Sequence, residues 1–326
     1  MHVLFVHKVY GKGEKDMLYL FLFILLILLF IIGMTILRTG LFNSSAESLK
    51  FWLVKLTGTP LRGMLVGTIV TGILQSSSAV MVITIGLISA RMLSFRQSIG
   101  IILGTNIGTT FTTEFITFEI NALIVPMVII GAILILVSNH VARSIGMIFL
   151  GLSFIFTAMN GFELLAEPLS SLPFMDQTII NLNNSHLLGV VAGIILTAII
   201  QSSTATTGIV MGFLSGNVLG IDTGISIMLG ANIGTCITGY IASIGSGEES
   251  KLCAYAHIWL NIIGVIVFYP FITLLSDMAL ILADKPEVQL AHISVIFNCI
   301  SSILVLPFAY KFGGFIIRTH GKTAIT

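Results

Sequence analysis

Two four-residue clusters carry the chemistry of this sequence. Gln75-Ser76-Ser77-Ser78 and Gln201-Ser202-Ser203-Thr204 place amides and hydroxyls inside otherwise apolar stretches, residues 61–90 and 186–216. A serine just before an apolar helix is a good N-cap. The helix it opens then aims its free N–H groups, and the positive end of its dipole, at the cluster. Neutral donors aimed inward from two such ends suit a small oxyanion. No Lys, Arg or His lies between Arg62 and Arg91, or within 187–216, to neutralise a charge. A multiply charged anion therefore needs a co-bound cation, which gives symport a physical reason.

A second pair of clusters offers the complement. Gly104-Thr105-Asn106-Ile107-Gly108-Thr109 is matched by Gly230-Ala231-Asn232-Ile233-Gly234-Thr235. The glycines permit unwound backbone with exposed carbonyls. The amide oxygens of Asn106 and Asn232 and the hydroxyls of Thr109 and Thr235 add neutral oxygen ligands, a set that suits a hard cation such as sodium. The plainer alternative is a Gly-Thr packing notch between close helices. Glu114 follows the first of these clusters. Within the hydrocarbon it is a candidate proton or sodium ligand for coupling; at the end of its span it is a carboxylate reaching water. His257 and His292 read as packing residues. No Ser-His-Asp set or Gly-x-Ser-x-Gly elbow supports a hydrolase, so no enzyme and no catalytic residue is expected.

The elements that must hold these residues follow from the repeat. The offset between the clusters, from 75 to 201, is 126, and it also aligns Gly63 with Gly189, Gly67 with Gly193, Thr71 with Thr197 and Gly86 with Gly212. A long internal repeat in an apolar chain, interrupted alike in both halves, points to the binding site of a secondary transporter. The 326 residues are 56% hydrophobic and 9% charged, against about 25% charged in soluble domains. The expected fold is an all-α polytopic membrane protein with two inverted-topology repeats, each holding a re-entrant helical hairpin and a broken transmembrane helix. Net charge is +1, so no nucleic-acid partner is expected. Cys236, Cys253 and Cys299 sit in or beside apolar segments and form no disulfide framework.

In order, residues 1–60 read as a first, retained transmembrane helix followed by an interfacial amphipathic helix. Repeat 1 is 61–160, with a hairpin at 61–90, a broken helix at 97–118 and two spans. A polar extracellular linker occupies 161–185. Repeat 2 is 186–310, with a hairpin at 186–216, a broken helix at 222–244 and two spans. A cytoplasmic tail, 311–326, follows. The hairpin reading rests on length: 61–74 as a helix is about 21 Å long, too short for a core of about 30 Å. The alternative, one long tilted helix, would strand four adjacent polar side chains around its circumference. With each hairpin entering and leaving by one face, Lys8, Lys12, Lys15 and Lys285 lie on one side. The other eleven of the 15 Lys and Arg, Arg38 among them, lie on the opposite side. The basic side is cytoplasmic.

The pairing of Gln-Ser-Ser-Ser with Gly-x-Asn-Ile-Gly-Thr, present twice, resembles the type II sodium–phosphate cotransporters and their bacterial relatives. The likeness extends to Phe42-Asn43-Ser44-Ser45-Ala46 and, with Asn261 and Asn298 upstream, to 265–271 and 304–308. It implies sodium-coupled symport of inorganic phosphate across the cell membrane by alternating access. Phosphate is then expected at Gln75, Ser76, Ser77, Ser78, Gln201, Ser202, Ser203 and Thr204. Sodium is expected at Asn106, Thr109, Asn232 and Thr235, with Gln75 and Gln201 shared. The implied partners are phosphate, sodium and the lipid bilayer, and a homodimer is admitted. Two departures are visible. Residues 161–185 stand where the animal proteins carry a large cysteine-bearing loop, and the 326 residues hold no counterpart of the carboxy-terminal regulatory domain of many bacterial members. The likeness is thus to a short bacterial-type member. Two other readings stay open: an elevator-type carrier of a carboxylate or sulfate, and a membrane phosphate sensor that does not transport.

Overall fold

The computed structural model describes residues 12–321, which are helical throughout with no strand among them. The first half comprises α1 (Lys12–Lys55), α2 (Pro60–Leu74), α3 (Ser77–Ser89), α4 (Phe95–Phe115), α5 (Asn121–Leu136) and α6 (His140–Ser170), followed by α7 (Pro173–Asn183). The second half comprises α8 (His186–Ile200), α9 (Ser203–Ser215), α10 (Ile221–Gly234), α11 (Cys236–Ser243) and α12 (Glu248–Phe268). It continues with α13 (Ile272–Leu282), α14 (Pro286–Val305) and α15 (Ala309–His320). Five stretches are long and apolar enough to cross a membrane: Gly13–Asn43, His140–Ser170, Ile221–Ser243, Glu248–Leu282 and Pro286–His320.

Glycines set how the helices pair. A Cβ on Gly63 would meet Gly100, one on Gly67 would lie 2.6 Å from the Ile101 carbonyl, and one on Gly108 would strike Thr68 and Thr71. The contacts climb both helices together, so α2 and α4 lie side by side in the same direction. The chain leaves the top of α2 and must reach its foot again before α4 begins, so α3 runs back. The second half repeats this: Gly189 meets Ser226, Gly193 meets Ile227, and Gly234 meets Ile194 and Thr197, which makes α8 and α10 a second parallel pair with α9 returning. Gly104→Val is expected to destabilise the protein by about 1–3 kcal/mol through overpacking, since its Cβ would collide with the Met64 carbonyl. A lower melting temperature in detergent is the readout; an unchanged one would show that α2 and α4 do not touch there.

The two returning helices end at opposite ends of the bundle. At the foot of α3, Ser250 donates to the Ile85 carbonyl at 3.2 Å, and the Phe95 amide donates to Glu249 Oε2 at 2.9 Å. At the foot of α9, Ser215 donates to Glu287 Oε2 at 2.8 Å. Glu287 opens α14, which runs antiparallel to α4: His292 meets Glu114, and Ser302 Oγ donates to the Leu103 carbonyl. Both feet turn on left-handed residues at the same 126 offset, Arg91 (φ 58°) and Asn217 (φ 56°).

Several expectations change. α4 is one continuous helix over Phe95–Phe115, not broken at 104–110. Gly104 and Gly108 are occupied by close packing on α2. The hydroxyls of Thr105, Thr109 and Thr110 donate to carbonyls three or four residues back at 2.7–2.8 Å, so the helix keeps its backbone pairing. The interruption exists only in the second copy, where α10 gives way to α11 at Thr235. α1 is likewise continuous through 38–55, without the separate interfacial helix. Gly40, the one residue that invites a break, sits against the Ser144 carbonyl of α6. Residues 161–185 are helical, divided between α6 and α7. The lysine-bearing part of residues 1–16 up to residue 11, and the tail beyond 321, lie outside the described residues.

A shorter duplication runs through the last helices. Asn261 and Asn298 are 37 apart, as are Pro270-Phe271 and Pro307-Phe308. Each proline sits in a single 3₁₀ turn, Tyr269–Phe271 and Leu306–Phe308, because it cannot donate to the ladder. The turns end alike, Phe271 at φ −104°, ψ 9° and Phe308 at φ −104°, ψ 11°.

Candidate functional site

Each polar cluster occupies the apex between an outgoing and a returning helix. Gln75 stands in the left-handed region (φ 52°, ψ 32°), as does Gln201 (φ 56°, ψ 28°). A non-glycine residue there costs about 1–2 kcal/mol, and its recurrence at both apices marks a shared constraint. The next residues are extended: Ser76 at φ −160°, ψ 102° and Ser202 at φ −148°, ψ 105°. Their hydroxyls accept from the Ala79 and Ala205 amides at 3.1 and 3.2 Å. Both serines are therefore N-caps, as their position before an apolar helix requires. Accepting leaves each hydroxyl proton free to donate to an anion.

The surroundings of the two apices differ. Ser76 and Ser77 are buried, and Gln75 donates from Nε2 to the Gly72 carbonyl. Gln75 Oε1 is buried without a partner, an acceptor suited to a donor or a cation. At the second apex Thr204 is buried, Ser202 and Ser203 are half-buried and Gln201 is exposed. Thr197 and Thr206 are linked across the hairpin at 2.9 Å. No hydrogen bond joins 75–78 directly to 201–204 among the described residues.

The asparagine clusters do meet. Asn106 donates to Asn261 Oδ1 at 3.2 Å; Asn261 in turn donates to the His257 carbonyl at 2.9 Å and to Cys236 Sγ at 3.4 Å. Cys236 lies 3.6 Å from the Asn232 carbonyl. A polar chain thus runs from one Asn cluster to the other through the middle of the bundle. Asn232 donates to the Met228 carbonyl at 2.9 Å, and Thr109 and Thr235 donate to Thr105 and Ala231. A threonine that donates to backbone keeps its lone pairs for a cation. Asn298 Oδ1 is buried and unpartnered. Glu114 Oε1 lies 2.8 Å from His292 Nδ1, both half-buried. The pair joins α4 to α14, so His292 is a polar partner of Glu114 and not a packing residue. His257 is fully buried, as a packing residue should be. The three cysteines are free.

Sequence reasoning assigned Arg38 to the cytoplasmic face; the structure does not leave it there. α1 runs on past it, and Arg38 Nε donates to the Gln75 carbonyl at 3.0 Å. Gln75 is at the far end of α2 from Pro60, about 22 Å of helix away. Arg38 therefore sits at the first apex, whereas Arg62 and Arg91 sit at the foot. Sequence misled here because Gly40, two residues on, reads as a helix stop, whereas it is taken up by close packing on the Ser144 carbonyl and the helix continues.

The described residues form an all-helical bundle with five helices long and apolar enough to cross a membrane, the class of a polytopic membrane protein. The chain belongs to the Na+/Pi-cotransporter family, whose profile matches residues 29–164 and 171–300. It is 40% identical over 296 residues to YqeW of Bacillus subtilis, covering 91% of this chain and 96% of that one. It is 21% identical over 278 residues to YjbB of Escherichia coli, named for inorganic phosphate export, covering 85% of this chain and 51% of that one. Over 117 residues it is 32% identical to human sodium-dependent phosphate transport protein 2B, 34% of this chain and 16% of that one. No solved structure matches the chain with significance.

Proposed function

We propose that this protein carries inorganic phosphate across the cell membrane coupled to sodium, by alternating access. The observation that carries the reading is the doubled apex: the same left-handed glutamine and capping serine, in two hairpins whose feet lie at opposite ends of the bundle. In a bilayer this makes two re-entrant hairpins in two inverted repeats, entering from opposite faces. Gln75, Ser76, Ser77, Ser78, Gln201, Ser202, Ser203 and Thr204 hold phosphate. Sodium is held by Asn106, Thr109, Asn232 and Thr235, with the amide oxygens of Gln75 and Gln201. Because α4 is unbroken, its share of the sodium ligands comes from side chains and not from freed carbonyls. With Arg38 removed, the described cations divide nine against three, so the foot of α3 is cytoplasmic and residues 161–185 are outside; the C-terminus is assigned to the cytoplasmic side with it.

Radiolabelled phosphate flux into proteoliposomes, with and without an inward sodium gradient, tests this. Concentrative uptake that collapses without sodium is expected. Flux indifferent to sodium would leave phosphate carriage standing and remove the coupling; absence of flux with retained phosphate binding would favour a sensor. The name of the Escherichia coli relative raises export, so phosphate-loaded vesicles with the gradient reversed belong in the same series. Glu114 serves coupling in this scheme. Glu114→Gln is expected to raise the sodium KM severalfold while phosphate KM changes less, because the carboxylate meets His292 and lines a cavity of about 720 Å³ together with Gln75, one of the proposed sodium ligands. An unchanged sodium KM would remove Glu114 from the mechanism.

A further inference from the structure

We propose that Arg38 is a fixed cationic anchor for the transported oxyanion, delivered to the first apex by α1. The inference rests on the phosphate-transport reading above and adds the source of the compensating charge. Arg38 lies within the apolar span Gly13–Asn43. A guanidinium so placed is costly and is retained where it pairs or acts. Among the described residues no carboxylate lies in ion-pair contact with it. Its protein partner is the Gln75 carbonyl, which takes the Nε proton at 3.0 Å. A guanidinium has five N–H donors, so the two Nη groups keep theirs.

Those donors have somewhere to act. Arg38 lines a cavity of about 480 Å³ together with Ser78 and Thr238. Ser78 belongs to the first apex, and Thr238 lies just past the interruption between α10 and α11. Thr238 Oγ1 is buried and has no partner. Thr39 also lines it, with its hydroxyl donated to the Thr35 carbonyl, and the remaining wall, including Leu74, Val82 and Ile83, is apolar, which strengthens any charge pairing made there. A planar pair of N–H donors beside two hydroxyls fits the edge of a tetrahedral oxyanion, the geometry in which arginine binds bidentately. One negative charge of the substrate is then balanced by the chain itself, and sodium has correspondingly less charge to offset.

A structural role is separable, because Arg38 could simply hold the Gln75 carbonyl in place. Arg38→Gln keeps an amide donor for that carbonyl and removes the charge; Arg38→Lys keeps the charge. For Arg38→Gln we expect the phosphate KM to rise about tenfold or more, the sodium KM to change less than about twofold, and phosphate to lose its stabilising effect on melting of the purified protein in sodium. Arg38→Lys keeps the charge and loses the planar fork, so its phosphate KM should fall between those of wild type and Arg38→Gln, with part of the thermal response kept. Equal phosphate KM in wild type and Arg38→Gln, or equal damage in both variants, overturns the proposal. Should Arg38→Gln aggregate, phenylglyoxal modification of wild-type Arg38, followed by peptide mass spectrometry, decides. Phosphate in sodium should slow it at least severalfold, and the same rate in chloride and in phosphate overturns the anchor. A wild-type protein that neither binds nor carries phosphate defeats the transport reading itself. A wild type that does both, matched by Arg38→Gln, defeats this inference alone.

Discussion

Gln75→Ala and Gln201→Ala are each expected to abolish sodium-driven phosphate flux while the protein remains folded and inserted. Both glutamines hold the left-handed residue between an outgoing and a returning helix. Their amides face the apex, not the apolar core, so truncation opens no core cavity of consequence. What is lost is a donor and an acceptor at the apex, where the proposed site lies between two helix ends. Each group left unpaired costs about 1–3 kcal/mol, which is roughly fivefold to 150-fold in apparent affinity. Loss in the first copy should be the more severe, because Gln75 Oε1 is buried and unpartnered whereas Gln201 is exposed. Backbone preference is a separate contribution, since alanine tolerates the left-handed region poorly. Gln75→Asn and Gln201→Asn separate the two: asparagine accepts that backbone and keeps an amide, one methylene shorter. Partial flux in the Asn variants with none in the Ala variants assigns the effect to the amide. Near-wild-type flux in both Ala variants would refute the site. Thr178→Ala, on the exposed face of α7 with a bond only to its own helix, is the control and should be neutral.

The parts of this fold that were legible in sequence are those fixed by local chemistry. The apices were visible because Ser76 and Ser202 can only be caps when they precede apolar runs, and because Gly63, Gly67, Gly189 and Gly193 mark a face that must admit another backbone. The doubled cap with one offset was enough to pair α2 with α3 and α8 with α9. What sequence did not disclose is where the same residue types serve packing instead. Gly104 and Gly108 resemble a break, yet their missing side chains are filled by α2, and α4 stays whole. Gly230 and Gly234 pack as tightly on α8, and there the ladder does yield at Thr235. Neither outcome is encoded by composition. Partners far apart in the chain were equally hidden: Arg38 with Gln75, Asn106 with Asn261, and Glu114 with His292. Each joins helices whose proximity follows only from the assembled bundle.

The opposed feet of the two hairpins lead to an all-or-none labelling result. Arg91 and Asn217 are equivalent in the repeat, both exposed and both left-handed. Cysteine at either position therefore carries the same backbone cost, about 1 kcal/mol, and any difference between them reports location. Arg91 lies with Ser94 and Ser246 around a cavity at the end of the bundle where α4 and α12 begin. Asn217 lies with Glu119, Lys285 and Glu287 at the end where α4 finishes and α14 begins. If the hairpins are re-entrant and inverted, these two ends face opposite sides of the bilayer. In intact cells, in a Cys299→Ala background, a membrane-impermeant maleimide should label Asn217→Cys fully and Arg91→Cys not at all. After permeabilisation both should label. Cys236 and Cys253 are buried and contribute little background. Labelling of both positions from outside would place the two feet on one face and end the inverted reading. Reversed labelling would keep the inversion and turn the whole protein over, against the nine-to-three distribution of the described cations. The expected pattern, by contrast, ties the two doubled apices to opposite aqueous compartments. That is the geometric requirement for one site to be reached alternately from each side.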